Sequence, residues 1–211
     1  MNHLSHSAIA AMDSRYRGNL INSLSGFKSV SLIGTVNAQA QPNVAIFSNI
    51  VHLGANPALI GFVNRPLAAA PHTIANIQAS GWYTVNHITP SMVAKAHQTS
   101  AKYDAGVSEF TTTGLQEIYR DGCAAPFVAD SAVQYSMKLV EIIPITHNQT
   151  FFVIGAVQDV YVSELGAIAA DGFIALNQLE SVASLGMDGY YSTRKLGRYA
   201  YAKPDAAPRE L

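Results

Sequence analysis

The sequence predicts a mainly β protein in which antiparallel strands alternate with short α-helices. Three observations carry this. Two pairs of strand-like runs, 29–36 with 43–53 and 133–143 with 150–162, are each joined by a short linker, the pattern of a hairpin. Hairpins impose antiparallel pairing. The helical segments between them are short and carry their own start and stop residues. An antiparallel sheet of this length must close or be covered, because a bare edge presents unpaired N–H and C=O groups.

Taken in order, residues 1–11 read as a loose N-terminal tail. Asp13 then caps a helix in which Tyr16, Leu20 and Leu24 recur at helical spacing, and Ser25-Gly26 closes it. The strands Ser29 to Val36 and Asn43 to Leu53 follow, separated by the polar linker Asn37-Ala38-Gln39-Ala40-Gln41-Pro42. Ala58 to Val63 is a third strand. Pro66 and Pro71 bracket a loop, and Thr73 is placed to cap a helix from Ile74 to Ser80 that Gly81 stops. Trp82 to Ile88 alternates aromatic, β-branched and polar residues, as a strand does. Thr89-Pro90 opens a helix running toward Thr99, with Pro90 at its first position. The stretch from Tyr103 to Asp121 is mixed, with a turn of helix at Ser108-Glu109-Phe110. Val133 to Ile143 and Thr150 to Val162 form the second hairpin. Ile174 to Leu185 suggests a short helix. The chain is expected to be one domain, with residues 186–211 as a C-terminal extension.

Composition narrows the function. Of 211 residues, 49% are hydrophobic and 13% charged, enough apolar side chains for a large core and for a surface covered by a partner. The formal net charge of -1 gives no basic excess for nucleic acid or an anionic membrane. Cys123 is the single cysteine and cannot form an intrachain disulfide; it reads as a buried structural thiol. None of the seven histidines falls in HxH or HExxH, so no metal site is expected. No GxGxxG follows a strand, and neither GxxxxGK[ST] nor GxSxG occurs. No signal-peptide pattern and no membrane-length apolar run are seen, so a cytoplasmic location is expected.

One ordered set of segments carries a resemblance. It runs Leu32-Ile33-Gly34-Thr35, Asn43-Val44-Ala45-Ile46-Phe47-Ser48-Asn49, Asn56-Pro57-Ala58-Leu59-Ile60, Arg65-Pro66 and His72-Thr73-Ile74-Ala75-Asn76-Ile77. Gly106-Val107-Ser108-Glu109-Phe110, Gly114-Leu115 and Phe152-Val153-Ile154-Gly155-Ala156-Val157 continue it. Over residues 12–165 this resembles the flavin-reductase-like family, whose pattern is a strand, N-x-A-x-x-S, a Pro-rich bend, a strand ending in Arg, and T-x-x-N-I. The resemblance implies an antiparallel split β-barrel of the FMN-binding type, working as a homodimer.

It also implies a site. Small side chains on a strand let a flat flavin ring approach backbone N–H groups, and Asn43, Ala45 and Phe47 are expected in that wall, with Thr35 beside them. A phosphate dianion calls for a guanidinium, hydroxyls and free N–H groups at a helix N-terminus. Arg65, Thr73, Ser48 and Asn49 fill those roles by resemblance. His72 stands where many relatives have an acidic residue; it faces the phosphate or is a solvated loop histidine. The plainer readings are a surface charge at Arg65, an N-cap at Thr73 and ordinary strand residues at Ser48 and Asn49. No catalytic side chain is assigned, because the chemistry would belong to the flavin.

The expected activity is hydride transfer from NAD(P)H to FMN, with an electron-acceptor protein or monooxygenase downstream. The alternatives are an FMN carrier or electron-transfer protein, and a non-flavin structural dimer. The chain departs from the family in lacking Gly in its first hairpin turn, in Asn56-Pro57 for a Pro-Pro pair, and in Asn148-Gln149-Thr150 where nicotinamide-using members have Gly-Asp-His. The last departure favours the carrier. The tail residues Tyr190, Tyr191, Arg194, Lys195, Arg198, Tyr199 and Tyr201 are expected either to fold over the flavin or to be solvated. Ile46, Ile50, Leu53 and Val85 are expected in the core.

Overall fold

The structure is a computed structural model and describes residues 1–104 and 106–211. In chain order its elements are α1 (His6–Ala10), α2 (Ser14–Leu24), β1 (Lys28–Ser29), β2 (Ser31–Val36), β3 (Pro42–Phe47), β4 (Val51–Ala55) and β5 (Ala58–Asn64). Next come α3 (His72–Ser80), β6 (Trp82–His87), α4 (Val93–Gln98), α5 (Glu109–Thr113), β7 (Glu117–Ile118) and β8 (Phe127–Val128). The chain ends with β9 (Val133–Ile145), β10 (Thr150–Val162), β11 (Ala183–Leu185) and β12 (Gly189–Tyr191).

The principal sheet has the order β3-β2-β6-β9-β10-β5-β4. Every pairing in it is antiparallel. Its two edges, β3 and β4, are consecutive in sequence but do not pair, so the barrel is split there rather than closed. The run expected as one strand from Asn43 to Leu53 is therefore broken at 48–50, where the chain crosses from one edge to the other. A side chain bridges the split: Asn49 donates through Nδ2 to the Val63 carbonyl (2.9 Å) and accepts from Val63 N at Oδ1 (3.2 Å). An amide thus takes the place of a strand partner along the free end of β5.

Period-two alternation explains how β2 is buried along its whole length. Ile33 faces a core with Phe62, Tyr83, Val85, Met137 and Val153. Its neighbour Leu32 faces a second core with Val44, Ile88, Met92, Phe110 and Leu115. Edge-to-face rings order the first core, with centroids 4.9 Å apart for Phe47–Phe62 and 5.7 Å for Phe62–Tyr83. Of the expected core residues, Val85 is fully buried and Ile46 and Ile50 are half-buried. Leu53 lies on the β4 edge and is 42% exposed.

Local chemistry accounts for the turns. The β2–β3 hairpin lacks glycine, so Ala40 adopts φ 60 and the Asn37 side chain accepts from Gln39 N and Gln41 N, both at 2.9 Å. Asp13 caps α2 as expected, accepting from Arg15 N (2.9 Å) and Tyr16 N (3.2 Å). Residues 6–10 form the one-turn helix α1 inside the expected loose tail, with no buried residue. Thr73 does not cap α3; the cap position is Pro71. Pro90–Met92 is a turn of 3-10 helix ahead of α4, and Thr89 bonds Ser91 Oγ rather than capping.

The helix expected over Ile174 to Leu185 does not form. Its backbone bonds go to other elements instead: Ala175 N to the Ala167 carbonyl (2.8 Å) and Val182 N to the Ile88 carbonyl (3.1 Å). Leu179 and Val182 are buried in the two cores. The segment then leads into β11, which joins β1 and β12 in a small antiparallel sheet. Cys123 is buried, as expected, and burial pushes its thiol pKa up. Among the described residues no helix is long and apolar enough to cross a membrane.

Candidate functional site

A cleft of about 310 Å³ lies between the principal sheet and the small C-terminal sheet. Its floor is Ala45 and Phe47 of β3 with Ser48 and Asn49 of the crossing segment. His97, at the end of α4, and the following Thr99 and Ser100 form one side. Ser184, Gly186 and Tyr190, from the β11–β12 hairpin, form the other. The two sides are clasped: His97 Nδ1 and the Tyr190 hydroxyl are 2.8 Å apart, with the rings edge-to-face at 5.7 Å. Ser184 is 5% exposed, and its Oγ has no partner among the described residues. A buried hydroxyl left unpaired costs about 1–3 kcal/mol, so a ligand in this cleft that bonded Ser184 would recover that cost.

A second cleft of about 250 Å³ continues the first and shares Ala45, Arg65, Ala70, Thr73 and Thr99 with it. It adds His72, Lys102 and Tyr103, together with one carboxylate, Glu109. The N-terminus of α3 opens here. Pro71 at the cap position offers no side-chain acceptor, and Ala75 N is the first amide bonded within the helix, to the Pro71 carbonyl at 3.2 Å. The N–H groups of His72, Thr73 and Ile74 therefore lack helical partners. The only ion pair among the described residues is Arg198–Asp171, so the exposed Arg65 guanidinium has no acidic partner there. Two cations, Arg65 and Lys102, a threonine hydroxyl and uncapped amides line one space and outnumber its single carboxylate, Glu109, an arrangement suited to an anion.

A family model described as flavin reductase like domain matches residues 25–174. A solved structure from Shewanella frigidimarina, assigned as a flavin reductase with a split barrel domain, is 48% identical at a TM-score of 0.92. That match covers 96% of this chain and 100% of the other. The chain belongs to the flavin reductase-like family. The same fold recurs in nitrilotriacetate monooxygenase component B from Bacillus cereus, at 21% identity and a TM-score of 0.81 over 94% of this chain and 98% of that one. It recurs again in the flavoredoxin of Desulfovibrio vulgaris, at 21% identity and a TM-score of 0.70 over 86% and 93%. Nothing among the curated proteins matches.

In this flavin reductase-like chain the structure sorts the expected site residues into three groups. Ala45, Phe47, Ser48, Asn49, Arg65 and Thr73 line the large cleft. Asn43 and His72 line the adjoining one, and both also border a third cleft of about 210 Å³. Thr35 lines none of these clefts. It has no exposure, donates to Asn43 Oδ1 (3.2 Å) and accepts from Asn76 Nδ2 (3.0 Å). Asn43 in turn donates to Glu109 Oε2 at 2.5 Å. Thr35 and Asn43 thus belong to a buried chain of hydrogen bonds that ties α3 and α5 to the β3 edge. Both ends of the Asn43 amide are used within it, as both ends of Asn49 are used on Val63. These two asparagines hold the wall of the cleft and their polar atoms are already paired.

Glu109 is itself 5% exposed. Burial pushes its pKa up, opposed by hydrogen bonds from its own and the Val44 backbone, by nearby His72 and by Asn43. Residues that sequence reasoning missed are Ser184, His97, Thr99, Ser100 and Lys102. Four of them cluster at and just after the end of α4 and Ser184 lies on β11, and no local motif announces them. The tail divides. Tyr190 reaches the cleft and Tyr191 packs edge-to-face on Phe27 at 4.9 Å. Arg198 turns away to pair with Asp171 at 2.5 Å and stack 4.0 Å over the Phe173 ring. Tyr199 bridges to Glu210. No cluster of three or more potential metal ligands occurs among the described residues.

Proposed function

We propose that this chain is an FMN-dependent oxidoreductase that accepts hydride from NAD(P)H at the paired clefts. The observation that carries this reading is the uncapped N-terminus of α3 beside Arg65, opening directly into a cleft lined by the buried Ser184; neither the Arg65 guanidinium nor the Ser184 hydroxyl has a partner among the described residues. A phosphate dianion matches the first, and the polar edge of a flavin ring matches the second. Bound FMN would supply the two-electron chemistry, receiving hydride from a nicotinamide and passing electrons to an acceptor.

The chain's own residues bind, orient and exclude water. Arg65, the Thr73 hydroxyl and the free α3 amides hold the phosphate, and Lys102 adds positive charge nearby. Ala45 keeps the β3 wall thin enough for a planar ring to reach the edge-strand backbone, whose outer groups have no strand partner. Ser184 hydrogen-bonds the ring's polar edge. The Tyr190–His97 clasp keeps the C-terminal wall against α4 and sheds bulk water from the ring. No side-chain acid or base is needed for hydride transfer, in keeping with a cleft that contains no paired carboxylates.

The working unit is a homodimer. Val51 and Leu53 on the β4 edge are each 42% exposed, and Val140 and Val160 on the long hairpin are 55% and 54% exposed. An unpaired edge strand flanked by apolar side chains is a surface that a second copy covers. An obligate interface of about 2,000 Å² or more is expected, seen as a dimer by analytical ultracentrifugation at low micromolar concentration.

One observation favours the carrier instead. Asn148-Gln149-Thr150 is consumed by its own hairpin turn, with Gln149 at φ 61 and Asn148 Oδ1 accepting from Thr150 Oγ1 at 2.7 Å. The turn lines none of the three clefts. Mixing FMN-loaded protein with NADH or NADPH without oxygen separates the readings. Bleaching of the flavin absorbance within seconds supports the reductase; a persistent yellow colour supports the carrier and overturns the hydride-transfer proposal.

A further inference from the structure

A fourth cavity, of about 290 Å³, shares no lining residue with the three clefts already described. It lies at the fringe of the first core: Val133 and Tyr135 belong to that core, and Ile60, Val157 and Ile174 pack against it. Val160 and Leu176 complete the aliphatic wall. The mouth of a β-barrel is a common place for a small-molecule pocket.

Two polar side chains interrupt this apolar lining. Tyr135 is 7% exposed, yet its hydroxyl bonds to none of the described residues. His87 engages Ser181 Oγ through Nδ1 at 2.9 Å, which leaves Nε2 without a partner among them. The two rings meet edge-to-face at 6.2 Å. No lining side chain carries a formal charge at neutral pH, because burial lowers the His87 pKa to about 4 and raises that of Tyr135. The cavity therefore selects a neutral, largely apolar molecule. The hydroxyl and ring nitrogen, free of partners among the described residues and open to the cavity, are placed to bond one oxygen function on it.

We propose a second small-molecule site here, for a mono- or bicyclic aromatic compound bearing a single hydroxyl or carbonyl oxygen. The ring sits among the aliphatic side chains, and its oxygen meets the Tyr135 hydroxyl and His87 Nε2. The site is separate from the flavin clefts and does not depend on their occupancy.

The test is a fluorescence titration with 2-naphthol as the probe, on the full-length protein with and without saturating FMN. One saturable site per chain is expected, with the same affinity in both states. Tyr135→Phe, which keeps the ring and removes the hydroxyl, is expected to weaken binding about five- to tenfold, the worth of one neutral hydrogen bond. Leu176→Trp, at a position 37% exposed on the rim and outside the face assigned to the second copy, is expected to fill the cavity and abolish binding while the melting temperature stays near that of the wild type. Absence of saturable binding, competition by FMN, or wild-type affinity in Tyr135→Phe would each overturn the proposal. So would affinity that falls as protein concentration drives dimerisation, because a second copy would then be the occupant.

Discussion

Arg65→Ala isolates the anion-binding role of one side chain with little risk to the fold. The backbone at this position is held independently of the guanidinium: Asn64 Nδ2 donates to the Arg65 carbonyl (2.7 Å) and to the Ala70 carbonyl (3.1 Å), pinning the loop that leads to α3. The side chain itself makes no ion pair among the described residues. What is lost is a charge-assisted hydrogen bond to phosphate, worth about 1.5–3 kcal/mol. Arg65 is exposed, so solvent and salt pull the effect to the low end, about 1.5 kcal/mol or roughly tenfold in affinity. FMN titration by fluorescence quenching at low and high ionic strength is the assay. The loss should be about tenfold at low salt and smaller at high salt, with an unchanged urea midpoint. Arg65→Lys, which keeps the charge but not the fork, should fall between. Unchanged affinity would remove Arg65 from the site, and a salt-independent loss together with lowered stability would show a structural role instead.

Four further substitutions test other parts of the structure. Ser184→Ala should stabilise the FMN-free protein by about 1 kcal/mol, because it removes an unpaired buried hydroxyl, and should weaken FMN binding; thermal melts with and without FMN read both. Gly155→Ala should destabilise by about 1–3 kcal/mol, since the new Cβ would collide with the Tyr83 hydroxyl and lie 3.0 Å from Met137 Cε. Tyr83→Phe removes that colliding and unpartnered hydroxyl, and in urea unfolding it should recover part of the Gly155→Ala loss; equal losses in both backgrounds would refute the clash. Glu109 has its pKa raised on folding, so the native state binds the proton more tightly than the unfolded chain. Its contribution is fully present below the ordinary value of 4.5 and is lost as pH rises through the higher folded value. Glu109→Gln should flatten stability against pH above 4.5, and an unaltered slope would contradict the assignment.

The strands were legible because their signals are local: alternation in 82–87 and two hairpins with polar linkers are written in consecutive residues. The segment 174–185 was misread as helix for the opposite reason. Its bonds to Ala167 and Ile88 are tertiary, and no window of sequence contains them. The same division runs through the site. The floor of the cleft, Ala45 to Asn49, and the rim, Arg65 to Thr73, were visible as contiguous motifs. Ser184 was not, because a lone serine acquires meaning only when β11 carries it to the edge of the cleft. Motif reading also could not separate residues that line the cleft from residues that hold it. Thr35 and Asn43 belong to the same ordered pattern as Ala45, yet their side chains are spent on Asn76 and Glu109.

The central claim is that FMN lies in the cleft between β3, α4 and the β11–β12 hairpin, with its phosphate at the start of α3. Hydrogen exchange by mass spectrometry, with and without saturating FMN, locates the ligand most directly. Slowed exchange is expected in peptides covering 45–49, 72–74, 97–102 and 184–190, with β4 and the β9–β10 turn unaffected by FMN. Protection confined to other segments, or none at saturation, would contradict that claim.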